Sequence, residues 1–305
     1  MLVEYMALTR RRYEKLGYQP YQWACSDSPP PWQALAKPLK ESRVGVVASA
    51  GVYVAGQVAY HYKDDDSLRT IPKTVEIDKL RFAHITEHLL KDARCDPSCL
   101  FPIEPLRRLE SEGFIGELAD PLWSCMGGIY SQRRVRTNLA PALAHELKNA
   151  KVNAALLIPL CPICHQTMAL VARHLEDEGI STICLVSALD VVRSVNPPRA
   201  AFLDYPLGHT AGRPNDPAEQ YAVARQALAC LENMATPGTI ETLPFQWAQD
   251  EQWKRDLLEK GTGDLRPPRD AAPRYQTEED RNLAEGTPAA GAENRRTAIS
   301  ERREA

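Results

Sequence analysis

Val152-Asn153-Ala154-Ala155-Leu156-Leu157-Ile158-Pro159-Leu160, running straight into Cys161-Pro162-Ile163-Cys164-His165-Gln166-Thr167, is the stretch whose reading decides the fold. The first run is far too short to cross a membrane and too uniformly apolar to show one face to water. It reads as a strand covered on both sides, the signature of a parallel sheet under helices. From Met168 to Glu178 the apolar residues recur at helical spacing and Gly179 supplies a stop, so the cysteine motif lies in a strand-to-helix turn.

The same alternation extends in both directions. Downstream, Thr182 to Val186 and Ala200 to Leu203 read as strands, and Asp216 to Met234 as a helix opened by a capping Asp216 followed by Pro217. Upstream, Val44-Gly45-Val46-Val47-Ala48 is a buried strand ending in Ser49-Ala50-Gly51, and helical spacing appears in Ile77 to Leu90, Ile103 to Ser111 and Pro141 to Asn149. Each crossover between parallel strands must return over a face of the sheet. The expected class is therefore α/β: Rossmann-like parallel strands flanked by helices, in one or two lobes, with helical terminal arms.

Five segments follow from the texture. Residues 1–42 form an arm, with a helix at Val3 to Leu16 and then prolines and aromatics. Residues 43–150 make a first α/β lobe and 151–235 a second one carrying the cysteine motif. Residues 236–261 read as a docking helix. Residues 262–305, poor in large apolar side chains, cannot offset the entropy of ordering and read as a disordered tail.

With 37 basic and 40 acidic residues the 305-residue chain has a formal charge of -3, which gives no basic surplus for a nucleic-acid or anionic-membrane partner. No apolar run reaches membrane-spanning length, and Met1 to Gly17 interleaves Glu4, Arg10, Arg11, Arg12, Glu14 and Lys15, so no secretory leader is expected. The expected location is the cytoplasm, where the eight cysteines are not a disulfide framework.

Cys161 and Cys164 in C-x-x-C spacing at a helix start suit thiol chemistry: the free amides of the helix favour a thiolate at Cys161, and Cys164 can resolve a mixed disulfide. Cys161-x-x-Cys164-His165 also matches a c-type haem attachment string, which requires export. A structural zinc would need a second pair, for which Cys95 and Cys99 are the candidates, although Cys99 leads into Leu100-Phe101 and suits burial. His84-Ile85-Thr86-Glu87-His88 matches an inverted zinc-peptidase string if helical; otherwise His84 is a lining residue. Ser49 and Gly51 after the first strand and Ser187 after Thr182 to Val186 fall where such sheets build sites, with Thr167 in the motif itself, and these join His84 as candidate substrate-binding residues. His209, in the loop Asp204 to Thr210, is the candidate proton carrier beside the catalytic pair Cys161 and Cys164. No dinucleotide or phosphate-loop fingerprint is present, and no cofactor is assigned.

Several ordered motifs then resemble one family. Pro31-Trp32-Gln33-Ala34-Leu35-Ala36-Lys37-Pro38-Leu39, Val47-Ala48-Ser49-Ala50-Gly51-Val52, Asp66-Ser67-Leu68-Arg69, Phe101-Pro102-Ile103-Glu104-Pro105-Leu106, Gly113-Phe114-Ile115-Gly116, the cysteine motif, Ser187-Ala188-Leu189-Asp190, Pro197-Pro198-Arg199-Ala200 and Pro206-Leu207-Gly208-His209-Thr210 occur in the order found in the glycine/sarcosine/betaine reductase component B and D-proline reductase (selenoprotein B) family. The resemblance spans roughly residues 30 to 235.

It implies a reductase in which a selenocysteine attacks the carbon bearing the amine of a substrate held as a Schiff base on a separate pyruvoyl subunit. Cys161 matches the selenocysteine and Cys164 the following cysteine, so this chain reads as a selenium-free member: a thiol-dependent oxidoreductase acting on a small amino-acid-like substrate, with a partner subunit or thiol reductant. Two other readings accompany it. One is a tailoring enzyme of specialised metabolism, as in diazeniumdiolate amino-acid pathways, with a metal held by the cysteines and His84, His88 or His209. The other is a non-catalytic subunit of a reductase complex.

Overall fold

The computed structural model describes residues 2–260 and 267–286. The chain opens with α1 (Tyr5–Lys15) and reaches β1 (Arg43–Ser49), then the short strands β2 (Val52–Val54), β3 (Arg69–Ile71) and β4 (Leu80–Phe82). After α2 (Ile103–Ser111) come β5 (Glu117–Leu118) and β6 (Leu122–Ser124). A short α3 (Gln132–Arg134) continues through a π-helical turn, Val135–Leu139, into α4 (Ala140–Asn149). Then β7 (Ala154–Pro159), α5 (Pro162–Asp177), β8 (Ser181–Val186), α6 (Leu189–Val195), β9 (Arg199–Phe202), α7 (Pro217–Asn233) and β10 (Thr239–Thr242) alternate. Helices α8 (Gln252–Lys260) and α9 (Glu278–Gly286) complete the described chain.

One sheet runs β10-β9-β8-β7-β1-β6-β3, with β5 against the start of β1; β3 alone is antiparallel. This is a Rossmann-like α/β fold. The two lobes read from the sequence share it, because β1 and β7 pair along their length from Val44 opposite Ala154 to Ser49 opposite Pro159. Alternation along the strands sends Val44, Val46, Ala48, Leu156 and Ile158 to one apolar layer and Val47, Ala155 and Leu157 to the other. After β1 the chain departs towards β6, and after β7 towards β8. The carboxyl ends of β1 and β7 therefore flank the switch point at which sheets of this class build their sites.

Three expectations change. Ile77 to Leu90 is not a helix: it holds β4 between 3-10 turns at Ile77–Lys79 and Glu87–Leu89, because Leu80–Phe82 pairs with Val52–Val54 in a two-stranded ribbon. Apolar spacing cannot foresee such a long-range pairing. Residues 236–261 begin with β10, parallel to β9, before reaching α8.

The tail read as disordered from 262 to 305 is ordered over 267–286, while 261–266 and 287–305 lie outside the described residues. Polar contacts replace the missing apolar ones. Arg274 N–H donates to the Tyr60 carbonyl (2.9 Å), Gln276 N–H to the Tyr53 hydroxyl (2.7 Å), and Phe82 N–H to Gln276 Oε1 (3.0 Å). Thr277 and Asp280 cap α9 reciprocally at 3.1 Å, and Arg81 Nε donates to both Asp280 oxygens at 2.8 and 3.0 Å. Asp280→Ala should cost about 1–3 kcal/mol of local stability by removing cap and ion pair together. Limited proteolysis should then cut within 267–286 well before the sheet, and unchanged cleavage kinetics would refute this account of the docking.

Among the described residues no helix is long and apolar enough to cross a membrane.

Candidate functional site

Cys161 is the N-cap of α5, and its sulfur accepts the Cys164 N–H at 3.3 Å. The helix thus starts at Pro162, earlier than the Met168 read from apolar spacing, and both cysteines belong to its first turn. Their sulfurs lie 3.2 Å apart, unbonded and buried: Cys161 is 2% exposed and Cys164 fully enclosed.

His84 reaches this pair through the β2–β4 ribbon. Gly51 takes φ +65° and its carbonyl accepts the Ala83 N–H at 2.9 Å; a Cβ there would fall 1.9 Å from the Ala83 oxygen. Only glycine permits that crossing, and the next residue along is His84, whose Nε2 lies 3.1 Å from the Cys164 sulfur. Its Nδ1 receives the Thr86 N–H at 3.0 Å and faces the Thr86 hydroxyl at 2.7 Å. A nitrogen that accepts a backbone N–H carries no proton, so the proton of a neutral His84 sits on Nε2, aimed at Cys164.

Cys164 is the hub of the cluster. Besides Cys161 and His84, the Ser49 carbonyl stands 3.1 Å from its sulfur and the Met126 carbonyl 3.9 Å away. Burial opposes charge on Cys164, yet hydrogen bonds from the Cys161 thiol and from His84 outweigh it and hold its pKa well below the ordinary thiol value. The Ser49 carbonyl acts the other way, accepting the Cys164 proton when the pair is neutral. Burial and the bond to Cys164 push Cys161 well above its ordinary value. The surroundings therefore favour charge at Cys164 over Cys161, the two thiols titrating as a pair.

His165 has no such role. Fully buried, it is held down at about 4 by desolvation; Nδ1 lies 2.8 Å from the Cys161 carbonyl and Nε2 accepts the Ser187 N–H at 2.8 Å, tying α5 to the loop after β8.

The other candidates separate. Ser49 and Ser187 lie at the carboxyl ends of β1 and β8, buried, with hydroxyls that have no hydrogen-bond partner among the described residues. Thr167 is buried and donates to the Gly127 carbonyl at 2.8 Å, so its hydroxyl holds the β6 loop against α5. His209 joins a different group: Nε2 is 2.8 Å from Asp92, and the ring packs on Trp247 with centroids 4.6 Å apart. Without a helix over 84–88 the peptidase string loses its geometry, and Glu87 instead binds Tyr62 and Arg94. Cys99 is buried, with its thiol 3.5 Å from the Gly208 carbonyl, while Cys95 is exposed.

Among the described residues, one group brings three metal-type ligand atoms together: His84, Cys161 and Cys164, within 4.8 Å of one another. The tautomer of His84 places a proton where a metal would need a lone pair, so the set reads as a hydrogen-bonded dithiol. Sequence reasoning found both cysteines and His84 separately. It brought them together only as alternative ligands of one metal, with His88 and His209 equally eligible, and did not single out the direct His84–Cys164 contact, because the ribbon joining residues 51 and 83 leaves no local signal.

The chain is 34% identical over 219 residues to D-proline reductase subunit gamma of Acetoanaerobium sticklandii, covering 72% of this chain and 90% of that protein. It is 25% identical over 214 residues to glycine reductase complex component B subunit gamma of Symbiobacterium thermophilum, covering 68% of this chain and 49% of the relative. The corresponding subunit of Carboxydothermus hydrogenoformans is 26% identical over 136 residues, 45% of this chain and 31% of the relative. The chain thus spans about half or less of the length of these glycine reductase subunits. No family model and no solved structure matches. At this identity and coverage, the chain belongs to the family of D-proline reductase gamma and glycine reductase component B gamma subunits.

Proposed function

We propose that this chain is the thiol-bearing subunit of a reductase complex that opens a C–N bond in a small amino-acid-derived substrate. Cys161 and Cys164 would supply the two electrons. The observation that carries the reading is the cluster itself: two unbonded sulfurs 3.2 Å apart at the switch point, with a histidine N–H and a helix start directed at them. The names of the relatives, a D-proline reductase and glycine reductases, supply the reaction class.

The step balances as follows. Cys161 passes its proton to the Cys164 thiolate and attacks the carbon; a C–S bond forms while the C–N pair leaves with nitrogen, which takes a proton. Cys164, deprotonated again, then attacks the Cys161 sulfur. The S–S bond forms, the C–S bond breaks, and carbon keeps that pair and takes a proton. Substrate gains two electrons, and the dithiol becomes a disulfide that an external thiol reductant must restore. Activation of the leaving nitrogen falls to a partner subunit.

The complex, isolated through a tag on this chain and freed of reductant, should make one equivalent of product per chain from D-proline or glycine. Two thiols should disappear together, and peptide mass analysis should place the new disulfide at Cys161 and Cys164. Turnover with both thiols still free would overturn the reading.

A further inference from the structure

The strand that delivers His84 to Cys164 is weakly anchored by its own pairing. β4 joins only β2, over three residue pairs, and a two-stranded ribbon of that length is marginal in water. Ala83 N–H points inward to the Gly51 carbonyl, so by the alternation of the backbone the Phe82 N–H points outward, to the open edge. Gln276 takes it there. Its Oε1 accepts the Phe82 N–H at 3.0 Å, while its own N–H donates to the hydroxyl of Tyr53, on β2, at 2.7 Å. One residue of the carboxyl-terminal segment therefore clasps both strands, and the bond from Arg81 to Asp280 adds a second hold one position before Phe82.

Little else fixes the His84 ring. Among the described residues its hydrogen bonds go to Thr86, two positions on in the same segment, and to Cys164. Thr86 ties the ring to the backbone that carries it, so the ring follows that backbone. Whatever holds the end of β4 therefore holds the 3.1 Å contact to the Cys164 sulfur, and a hydrogen bond weakens steeply as its angle closes. Cys164 interacts electrostatically with His84, Cys161, Cys125 just beyond β6 and His165 on α5, and His84 does so with His88. None of these belongs to residues 267–286, and Gln276 carries no charge, so its route to the sulfurs is its hold on the ribbon.

We infer that Gln276 is a positioning residue for the dithiol: by clasping β2 and β4 it keeps His84 within hydrogen-bond range of Cys164, so that the carboxyl-terminal segment governs the reactivity of the two sulfurs. The inference rests on the dithiol reading, because His84 has a task only if those sulfurs react.

Five proteins test it, each as the whole chain: the wild type, Gln276→Met, Gln276→Glu, His84→Gln and the double variant His84→Gln/Gln276→Met. The pH at which iodoacetamide begins to alkylate Cys161 and Cys164 is read by peptide mass analysis. Methionine fills nearly the same volume but offers no strong acceptor to the Phe82 N–H, so Gln276→Met should move the midpoint upward by about half a pH unit, part of the shift produced by His84→Gln. Gln276→Glu keeps an acceptor oxygen and should restore most of the wild-type profile. The double variant should alkylate where His84→Gln alone does, because without the imidazole nothing is left to position. A clasp needed only for stability would lower the melting temperature of Gln276→Met and leave its midpoint in place. That result, or shifts that simply add in the double variant, overturns the positioning role and leaves the dithiol reading standing. Wild-type cysteines silent towards the reagent at every pH remove the two together.

Discussion

Cys164→Ser should abolish reductive turnover, by about 10³-fold or more, while the protein keeps its fold. The substitution is close to isosteric, and the new hydroxyl can still face the Cys161 thiol, His84 and the Ser49 carbonyl, so packing of the first turn of α5 survives. Two chemical capacities are lost. A serine hydroxyl is not an anion near neutral pH and cannot take the Cys161 proton, and it cannot form the S–S bond that releases product. Cys161→Ser should be equally inactive for a different reason, having no sulfur to attack carbon, and should also deprive Cys164 of its thiol donor.

His84→Gln separates these roles. It weakens the support for charge on Cys164, so the pH at which the pair alkylates should move upward, with activity at neutral pH falling while activity at alkaline pH recovers in part. Activity and alkylation profiles recorded across pH for the wild type and the three variants decide the matter. A Cys164→Ser protein retaining a tenth of wild-type turnover, or a His84→Gln profile that does not move, would remove the proton-sharing pair from the mechanism.

The stretches most legible in the sequence were those whose burial is decided locally. Strands β7, β8 and β9 are enclosed on both faces, so their composition alone marks them, and α7 announces itself by Asp216-Pro217, where the Asp216 side chain accepts the Glu219 N–H at 3.0 Å. The region from 77 to 90 was misread because its apolar residues serve a ribbon formed with 52–54, and no periodicity within the segment encodes a partner in another segment. The site follows the same division. The C-x-x-C spacing and its place after a strand are local and were visible. The third member, His84, is eighty positions away from Cys164 and arrives through the glycine crossing at Gly51. Residues 267–286 were read as disordered by a criterion that counts apolar area, whereas they are held by backbone and carboxylate hydrogen bonds that composition does not register.

A second large effect is expected at Glu176, in the layer that joins the amino-terminal arm to the sheet. Glu176 Oε1 accepts from Arg199 Nη1 at 2.6 Å, from Thr182 N–H at 2.6 Å and from the Thr182 hydroxyl at 2.8 Å, while Oε2 accepts the Gln33 N–H. Arg199, 1% exposed, stacks under Trp32 at 3.4 Å from the ring centroid and donates to the Gln33 carbonyl at 2.8 Å. Removing one partner of a buried pair leaves the other charge uncompensated, so Glu176→Leu should cost about 3–5 kcal/mol and free the arm around Trp32 and Gln33. Arg199→Met should cost less. Desolvation already pushes the Glu176 carboxyl above its ordinary value despite Arg199, so without the arginine it can take a proton, whereas Arg199 cannot shed one. The double variant, apolar at both positions, should be more stable than Glu176→Leu alone, because neither change then leaves an orphaned charge.

The pH dependence has a definite sign. A carboxyl whose folded pKa lies above its unfolded value binds its proton more readily in the native state; its favourable contribution is complete below the unfolded pKa of about 4.3 and is lost as pH rises through the folded one. Stability of the wild type relative to Glu176→Gln should therefore decline with rising pH across that window, the reverse of an ordinary surface ion pair. Urea unfolding of the five proteins at several pH values measures all of this, and a Glu176→Leu protein within about 1 kcal/mol of the wild type would show that about that little energy binds the arm to the sheet through this pair.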